Sequence, residues 1–350
     1  MTEPLRVLVV DDSVVARRIV VEALAGDPAF ALSDAASGKI ALARLGAQRF
    51  DAVTLDVEMP EMDGIATLGE IRRRHPTLPV IMLSALTRRA AAVTIDALTR
   101  GATDYIAKPD RAGSPAEARE YVRSQLVPKL RALFGDRAHV LDAPATTRLA
   151  PHRIDVVAIG VSTGGPAALA EVVSTLPAGF PTPLLIVQHI PAAFSAALAS
   201  RLAALSQLRV AEAVDGAPVD SGQVWLASGD LHLEVEAGPR GPVLRSRPAP
   251  PENSCRPSVD VLFRSIAAVY RANALAVVLT GMGSDGVRGC EALRSAGSST
   301  IVQDAATSVV WGMPGAVARA GLAEQILPID QIGPEIARRV AASTQRISLR

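Results

Sequence analysis

Three polar residues in the second half of the chain are of the types that acyl-transfer chemistry requires. Ser162 lies in "VVAIGVSTGGPAAL", Val156 to Leu169, where Gly160-Val161-Ser162-Thr163-Gly164 has the G-x-S-x-G spacing that lifts a nucleophilic serine out of a sharp turn. The same glycines also read as a phosphate-cradling turn between a strand and a helix. One reading predicts a hydrolase and the other a nucleotide binder. A serine hydroxyl is a poor nucleophile until a base takes its proton, and His189, ending "PLLIVQH", is the candidate base. A third group must then fix the imidazole tautomer, and Asp285 follows "LAVVLTGMGSDG". Taken singly, His189 reads equally well as a strand-end histidine and Asp285 as a helix cap. Together, three separate apolar strands deliver one polar group each to the same sheet edge. The chain order Ser–His–Asp differs from the Ser–Asp/Glu–His order of α/β-hydrolases, so the spacing does not assign that fold. A dinucleotide site wants G-x-G-x-x-G and an acid ending the next strand. Ser162 and His189 stand in those places instead. Gly164 and Gly165 let backbone N–H groups face the site for an oxyanion, and the turn at Thr280–Ser284 offers another donor.

The first third of the chain carries a different constellation. Asp11 and Asp12 follow the run "LRVLVV", and Asp56 ends "DAVTLD". Neighbouring strand ends of a doubly wound sheet would bring these acids together, where like charges demand protonation or a cation. An oxygen-rich site of this kind suits Mg²⁺, which takes one or two carboxylates, keeps waters and binds phosphate oxygens. Ser84 ends "PVIMLS" with a hydroxyl, and Lys108 ends "TDYIAK" with an ammonium. Both could contact a phosphoryl group.

The elements that must position these groups follow from hydrophobic patterning. Up to about Phe134, short apolar runs alternate with amphipathic stretches such as "SVVARRIVVEAL" and "IATLGEIRRRH". That pattern implies right-handed β-α-β units, a parallel sheet with helices on both faces, and function at the C-terminal strand ends. Residues 136–152, with little apolar periodicity, read as a linker between a first domain at 1–135 and a second at 153–346. The second domain opens on "IDVVAIG" and repeats the strand-helix pattern. Its stretch from Arg209 to Arg247 is turn-rich, which predicts a β-rich insertion or edge in a second α/β parallel-sheet domain.

Composition narrows the function classes. A chain of 350 residues, 49% hydrophobic and 20% charged, is long enough for two folded domains. Its net charge is +1 and aromatic residues are 3%, which argues against a nucleic-acid partner in either half. The two cysteines, Cys255 and Cys290, form no C-x-x-C pair, so neither a zinc site nor a disulfide scaffold is expected. The N-terminus lacks a signal-peptide pattern, and the apolar runs are far shorter than the roughly 20 residues of a membrane span. A cytoplasmic protein without direct membrane insertion is expected.

At "VVDDS", "TLDVEMPEMDG", "MLSA" and "AKP" the first domain resembles a response-regulator receiver, a flavodoxin-like doubly wound fold. The resemblance implies that Asp56 accepts a phosphoryl group from a histidine kinase. It implies a Mg²⁺ site made by Asp11, Asp12, Asp56 and the backbone carbonyl of Glu58, and it makes Ser84, Tyr105 and Lys108 the switch residues. With "IGVSTGG", "VQHIP", "RPSVDVLF", "LTGMGSDG" and "QDAATSVVWGMP" added, the whole chain resembles the chemotaxis protein-glutamate methylesterases, which also deamidate glutamine. That implies Ser162 as nucleophile, His189 as base and Asp285 as its orienter, with Thr163 and the Met282 N–H as helpers. The implied substrates are glutamate methyl esters on chemoreceptor cytoplasmic helices, and the implied phosphodonor is the chemotaxis histidine kinase. The ester chemistry needs no cofactor. Phosphorylation of a receiver upstream of the esterase is expected to activate it. The rival readings are a receiver that controls a partner-binding domain, and the same chemistry in another sensory array. One departure is visible: Cys255 stands where the family often has histidine. It is expected to be inert and could alter the wall of the substrate groove, and Arg256 beside it reads equally as a residue facing receptor carboxylates or as a solvated loop charge.

Overall fold

The computed structural model describes residues 3–109, 113–134 and 153–345. The chain divides into two compact units, Met1–Gly135 and Asp136–Arg350. The linker expected at 136–152, and residue 346 at the end of the expected second domain, lie outside the described residues.

In the first unit β1 (Leu5–Val10), β2 (Phe30–Ala35), β3 (Ala52–Asp56), β4 (Val80–Ser84) and β5 (Asp104–Ala107) alternate with α1 (Val14–Ala25), α2 (Gly38–Ala47), α3 (Gly64–Arg74), α4 (Arg88–Thr99) and α5 (Pro115–Phe134). All strands pair in parallel in the order β2-β1-β3-β4-β5. Every residue of β3 and β4 is buried, as expected where helices cover both faces of a sheet. Ser13, Ser37, Asp63 and Thr87 cap the first four helices, each side chain accepting a backbone N–H of the first turn. Gly64 permits a close backbone approach: a Cβ there would stand 2.2 Å from the Asp56 carbonyl oxygen. The topology sets β1 beside β3, so the chain leaves both strands at one edge with its acids side by side.

The second unit contains β6 (Val156–Val161), α6 (Gly165–Ser174), β7 (Leu184–Gln188), α7 (Ala192–Leu205), β8 (Arg209–Glu212), β9 (Gln223–Leu226), β10 (His232–Gly238), β11 (Gly241–Arg247), α8 (Val259–Tyr270), β12 (Ala274–Val278), α9 (Val287–Ser295), β13 (Ser299–Gln303), α10 (Met313–Arg319), β14 (Gln325–Leu327) and α11 (Ile329–Gln345). Seven strands form one parallel sheet, β14-β13-β12-β6-β7-β9-β8. The turn-rich stretch splits two ways. β8 and β9 close the edge of this sheet, while β10 and β11 form a separate antiparallel ribbon. The buried core includes Val156, Ala158, Val278, Leu262, Phe263 and Ile266, so α8 lies against the centre of the sheet.

The chain runs from β6 to β7 on one side and later returns to β12 on the other. The crevice at such a reversal is where open α/β sheets bind ligands. α8 closes tightly on β6 there, because a Cβ at Gly160 would stand 2.3 Å from Val259 Cγ1. Gly160→Ala is therefore expected to lower the unfolding free energy by about 1–3 kcal/mol through overpacking. Urea titration of wild type and variant checks this, with an unchanged midpoint as the contrary result.

Candidate functional site

β6 is flanked by β7 and β12, and all three strands end at the same edge. Ser162 follows β6 directly. Its N–H donates to the Thr280 carbonyl at 3.0 Å, and its carbonyl accepts from Gly165 N at 2.8 Å and Gln188 Nε2 at 2.9 Å. The Gln188 amide also donates to the His189 carbonyl at 3.1 Å, so one side chain ties the backbones of Ser162 and His189 together. Gly165 makes room for it, since a Cβ there would meet Gln188 Oε1 at 1.9 Å. Gly164 has φ of 79° and begins α6, with Pro166 in the first turn.

Asp285 is 2% exposed and accepts from five groups. His189 Nε2 lies 2.8 Å and Val259 N 2.7 Å from Oδ2. Ser258 Oγ at 2.8 Å, Asn253 Nδ2 at 2.9 Å and Asp260 N at 3.1 Å converge on Oδ1. Burial alone would raise the pKa of this carboxyl. The hydrogen bond and charge of His189, with the donors from Val259 and Ser258, outweigh it and hold the carboxyl far below the usual carboxylate range. His189 answers in the opposite sense. Burial opposes its protonation, but Asp285 and then Cys255 push it from 6.5 up to about 9.

The other ring nitrogen meets Cys255, whose Sγ lies 3.6 Å from His189 Nδ1 across a separation of 66 positions. A β-turn brings it there. The Ser162 hydroxyl makes no hydrogen bond among the described residues, so Ser162 is at the same edge as His189 without being joined to it. Arg256 donates from Nη1 to the Ala249 carbonyl at 2.9 Å.

The loop after β12 packs onto Ser162 through Gly281, where a Cβ would stand 2.8 Å from Ser162 Cβ. "SVVWGMP" buttresses that loop: Gly281 N donates to Val310 O at 3.0 Å, and Gly312 N and Met313 N donate to Gly281 O at 3.1 and 2.8 Å. Thr163 is buried, and its carbonyl accepts from Thr280 Oγ1 at 2.9 Å. Among the described residues nothing accepts from the Met282 N–H, which follows Gly281 beside Ser162.

In the first unit, carboxylate oxygens of Asp11, Asp12 and Asp56 lie within 4.8 Å of one another. Lys108 Nζ is 3.0 Å from Asp11 Oδ2 and 2.8 Å from Asp56 Oδ1. Asp11 Oδ2 is buried with no hydrogen bond among the described residues, and the Lys108 ammonium is its ion-pair partner. Burial pushes Asp56 up to about 6, against the pull of Lys108 and with the push of Asp11. The Glu58 N–H reaches Asp56 Oδ1 at 3.5 Å, which sets the Glu58 backbone at the cluster. Ser84 is buried and its hydroxyl lies 2.6 Å from that of Thr94 on α4, a partner that sequence did not suggest. Tyr105 sits on β5 apart from the acids, its ring 5.9 Å from Lys129 Nζ. Burial, and then Asp104, raise its phenol.

Comparison with known proteins follows both sites. Residues 157–336 match the CheB methylesterase family, and residues 7–115 match the response regulator receiver domain. A protein-glutamate methylesterase/protein-glutamine glutaminase of Trichodesmium erythraeum is 47% identical over 96% of this chain and 99% of its own length. The chain belongs to that family. A second member, from Nocardioides sp., is 47% identical over 99% of this chain and 97% of its own. The crystal structure of the Thermotoga maritima CheB methylesterase catalytic domain has a TM-score of 0.52 and 38% identity, covering 53% of this chain and 98% of that one. The expected fold class and the expected enzyme, a methylesterase with glutaminase activity under a receiver domain, both hold. No helix among the described residues is long and apolar enough to cross a membrane.

The His189–Asp285 pair has a pH signature. The folded chain holds the imidazolium more tightly than the unfolded chain, so its contribution is complete below about 6.5 and lost as pH rises through about 9. The stability advantage of wild type over His189→Gln in urea unfolding is therefore expected to shrink across that window. An advantage that stays constant or grows would contradict the ion pair.

Proposed function

We propose that the chain hydrolyses glutamate γ-methyl esters on the cytoplasmic helices of chemoreceptors by a Ser162–His189–Asp285 acyl transfer. The same site deamidates glutamine, and phosphorylation of Asp56 activates it. The observation that carries this reading is the buried His189–Asp285 pair, 2.8 Å apart, at strand ends flanking the one that delivers Ser162. Ser162 Oγ attacks the side-chain carbonyl while His189 takes its proton. With Nε2 on Asp285, Nδ1 is the nitrogen left for Ser162, so it exchanges the Cys255 thiol for the hydroxyl when substrate binds. Catalytic hydrogen bonds often tighten only in the substrate complex. The Met282 N–H, and with it Thr163, stabilise the oxyanion. His189 gives the proton to the methoxy oxygen as the C–O bond breaks, releasing methanol, or to the amide nitrogen of glutamine, releasing ammonia. Water then attacks the glutamyl-serine ester with His189 again as base, leaving a glutamate carboxylate.

The imidazole must be neutral to act as base. With its pKa raised to about 9, the basic form grows as pH rises, so kcat/KM is expected to climb through neutrality and level off above about pH 9. A profile that is flat from pH 6.5 to 9 would count against His189 as the base.

The receiver residues fit a divalent cation by their donor set, three clustered acids with one buried carboxylate oxygen lacking a hydrogen bond. Asp11, Asp12, Asp56 and the Glu58 carbonyl would hold Mg²⁺, which when bound neutralises carboxylate charge and that of an incoming phosphoryl group. Asp56, with a pKa of about 6, is mainly ionised at neutral pH and able to attack phosphorus. The phosphodonor is the chemotaxis histidine kinase. A phosphoryl group on Asp56 draws Lys108 and the Ser84 hydroxyl toward its oxygens, Ser84 giving up Thr94, and Tyr105 follows as the remaining switch residue. Receptor demethylation in the cytoplasm then serves sensory adaptation.

Methanol release from methylated receptor membranes tests this directly. Ser162→Ala is expected to lose at least about 10⁴-fold in rate. Asp56→Asn is expected to keep basal release and lose its stimulation by a small-molecule phosphodonor. Release by Ser162→Ala at the wild-type rate would overturn the mechanism, and stimulation of Asp56→Asn would overturn the regulation.

A further inference from the structure

One turn reaches the acid and the base of the esterase site together. Glu252 to Cys255 form a two-residue β-turn closed by Glu252 N to Cys255 O at 3.0 Å and Cys255 N to Glu252 O at 2.8 Å. Asn253 and Ser254 both have positive φ, 51° and 62°, a combination that favours asparagine at the first position. Arg264 on α8 grips Glu252 with two hydrogen bonds of 2.6 Å. The turn is thus held on the helix that also supplies Val259 N and Asp260 to the site.

The Asn253 side chain points into a pair of buried acids. Its Nδ2 lies 2.9 Å from Asp285 Oδ1 and 2.9 Å from Asp260 Oδ2, one hydrogen for each. Asp260 is 1% exposed, and its other oxygen accepts from Gly286 N at 3.0 Å and Gly289 N at 2.7 Å. Gly286 directly follows Asp285, so Asp260 fixes the backbone of the acid while Asn253 links the two carboxylates. Two ionised carboxylates at this range repel unless a donor lies between them, and a buried charge that loses a donor carries the full desolvation penalty. Burial, and then the charge of Asp285 among smaller effects, push Asp260 up, and the hydrogen bond from Asn253 opposes them.

We infer that Asn253 is a positioning residue for the esterase reaction: its amide bridges Asp260 and Asp285 and keeps Asp285 aimed at His189. This rests on the proposed Ser162–His189–Asp285 mechanism and adds a fourth residue to it. The charged and titratable groups around Asp285 are His189, Asp260 and Arg264, Cys255 and Glu252 on the turn, and Arg288 on α9. Of these, Asp260 is the one that shares the Asn253 amide with Asp285.

Asn253→Gly tests the amide apart from the turn, because glycine accepts positive φ without strain. Asn253→Asp keeps the size but replaces the donor with a third carboxylate. In the full chain, with methylated receptor membranes as substrate, Asn253→Gly is expected to lower kcat about tenfold to a hundredfold with KM unchanged. Its pH–rate rise should shift to lower pH, because an Asp285 carboxylate no longer aimed at His189 holds the imidazolium proton less tightly. Asn253→Asp is expected to lose at least as much activity. Wild-type kcat and pH profile in Asn253→Gly would overturn the inference. So would a lower kcat with an unmoved pH rise, which marks a merely structural role. His189→Gln is run alongside: if it retains methanol release, the triad itself fails, a result distinct from failure of Asn253 alone.

Discussion

The proposed esterase site depends on keeping the Asp285 carboxylate charged in a place that water does not reach. Burial of such a group is costly unless each lone pair meets a donor. Five donors meet this one, and they come from three parts of the chain: His189 after β7, Asn253 on the turn, and Ser258, Val259 and Asp260 at the start of α8. Two of them are backbone N–H groups at a helix N-terminus, where partial positive charge favours an anion. The rest of the local architecture follows from that demand. Gly160 lets α8 approach β6, Gly286 and Gly289 receive Asp260, and the Arg264–Glu252 pair holds the turn that carries Asn253.

The sheet order supplies the remaining geometry. Because β6 lies between β7 and β12, groups separated by 27 and 96 positions in sequence become neighbours at one edge. The loops at that edge are made rigid by bonds between them, through Gln188 and the Gly281 carbonyl. Preorganised donors are effective because they need not reorient as charge develops in the transition state.

Much of this was legible in the sequence for a definite reason. Parallel strands buried on both faces read as unbroken apolar runs, so the first polar residue after each run marks the functional edge. Asp11, Ser84 and Ser162 were visible in that way, Asp56 and His189 as ionisable residues closing such runs, and so was the alternation that implies two parallel sheets. Contacts made by irregular backbone were not. Cys255 meets His189 and Asn253 meets Asp285 because a β-turn folds back onto strand ends, and no periodicity records such a meeting. The split of the turn-rich stretch, with β8 and β9 in the sheet and β10 and β11 outside it, was equally hidden. Short edge strands carry no pattern that distinguishes a parallel partner from an antiparallel one. The Ser84–Thr94 pair was missed because a buried threonine on a helix looks like any small core residue.

The two sites solve the same electrostatic problem in opposite ways. Asp285 is compensated by five donors of the surrounding fold, which suits the proposed role of orienting His189. Asp56 and Asp11 share one flexible ammonium, Lys108, and Asp11 retains a buried oxygen with no hydrogen bond. Their balance is less complete, and burial raises the Asp56 carboxyl to about 6 against the pull of Lys108. An under-compensated cluster responds strongly to any added charge, whether a cation or a phosphoryl group. A carboxylate already met by five donors responds less. The proposed catalysis calls for the second condition and the proposed signalling for the first. The difference between the units of this chain is therefore one of hydrogen-bond donors supplied to a buried carboxylate: enough to hold it still in one, too few to hold it still in the other.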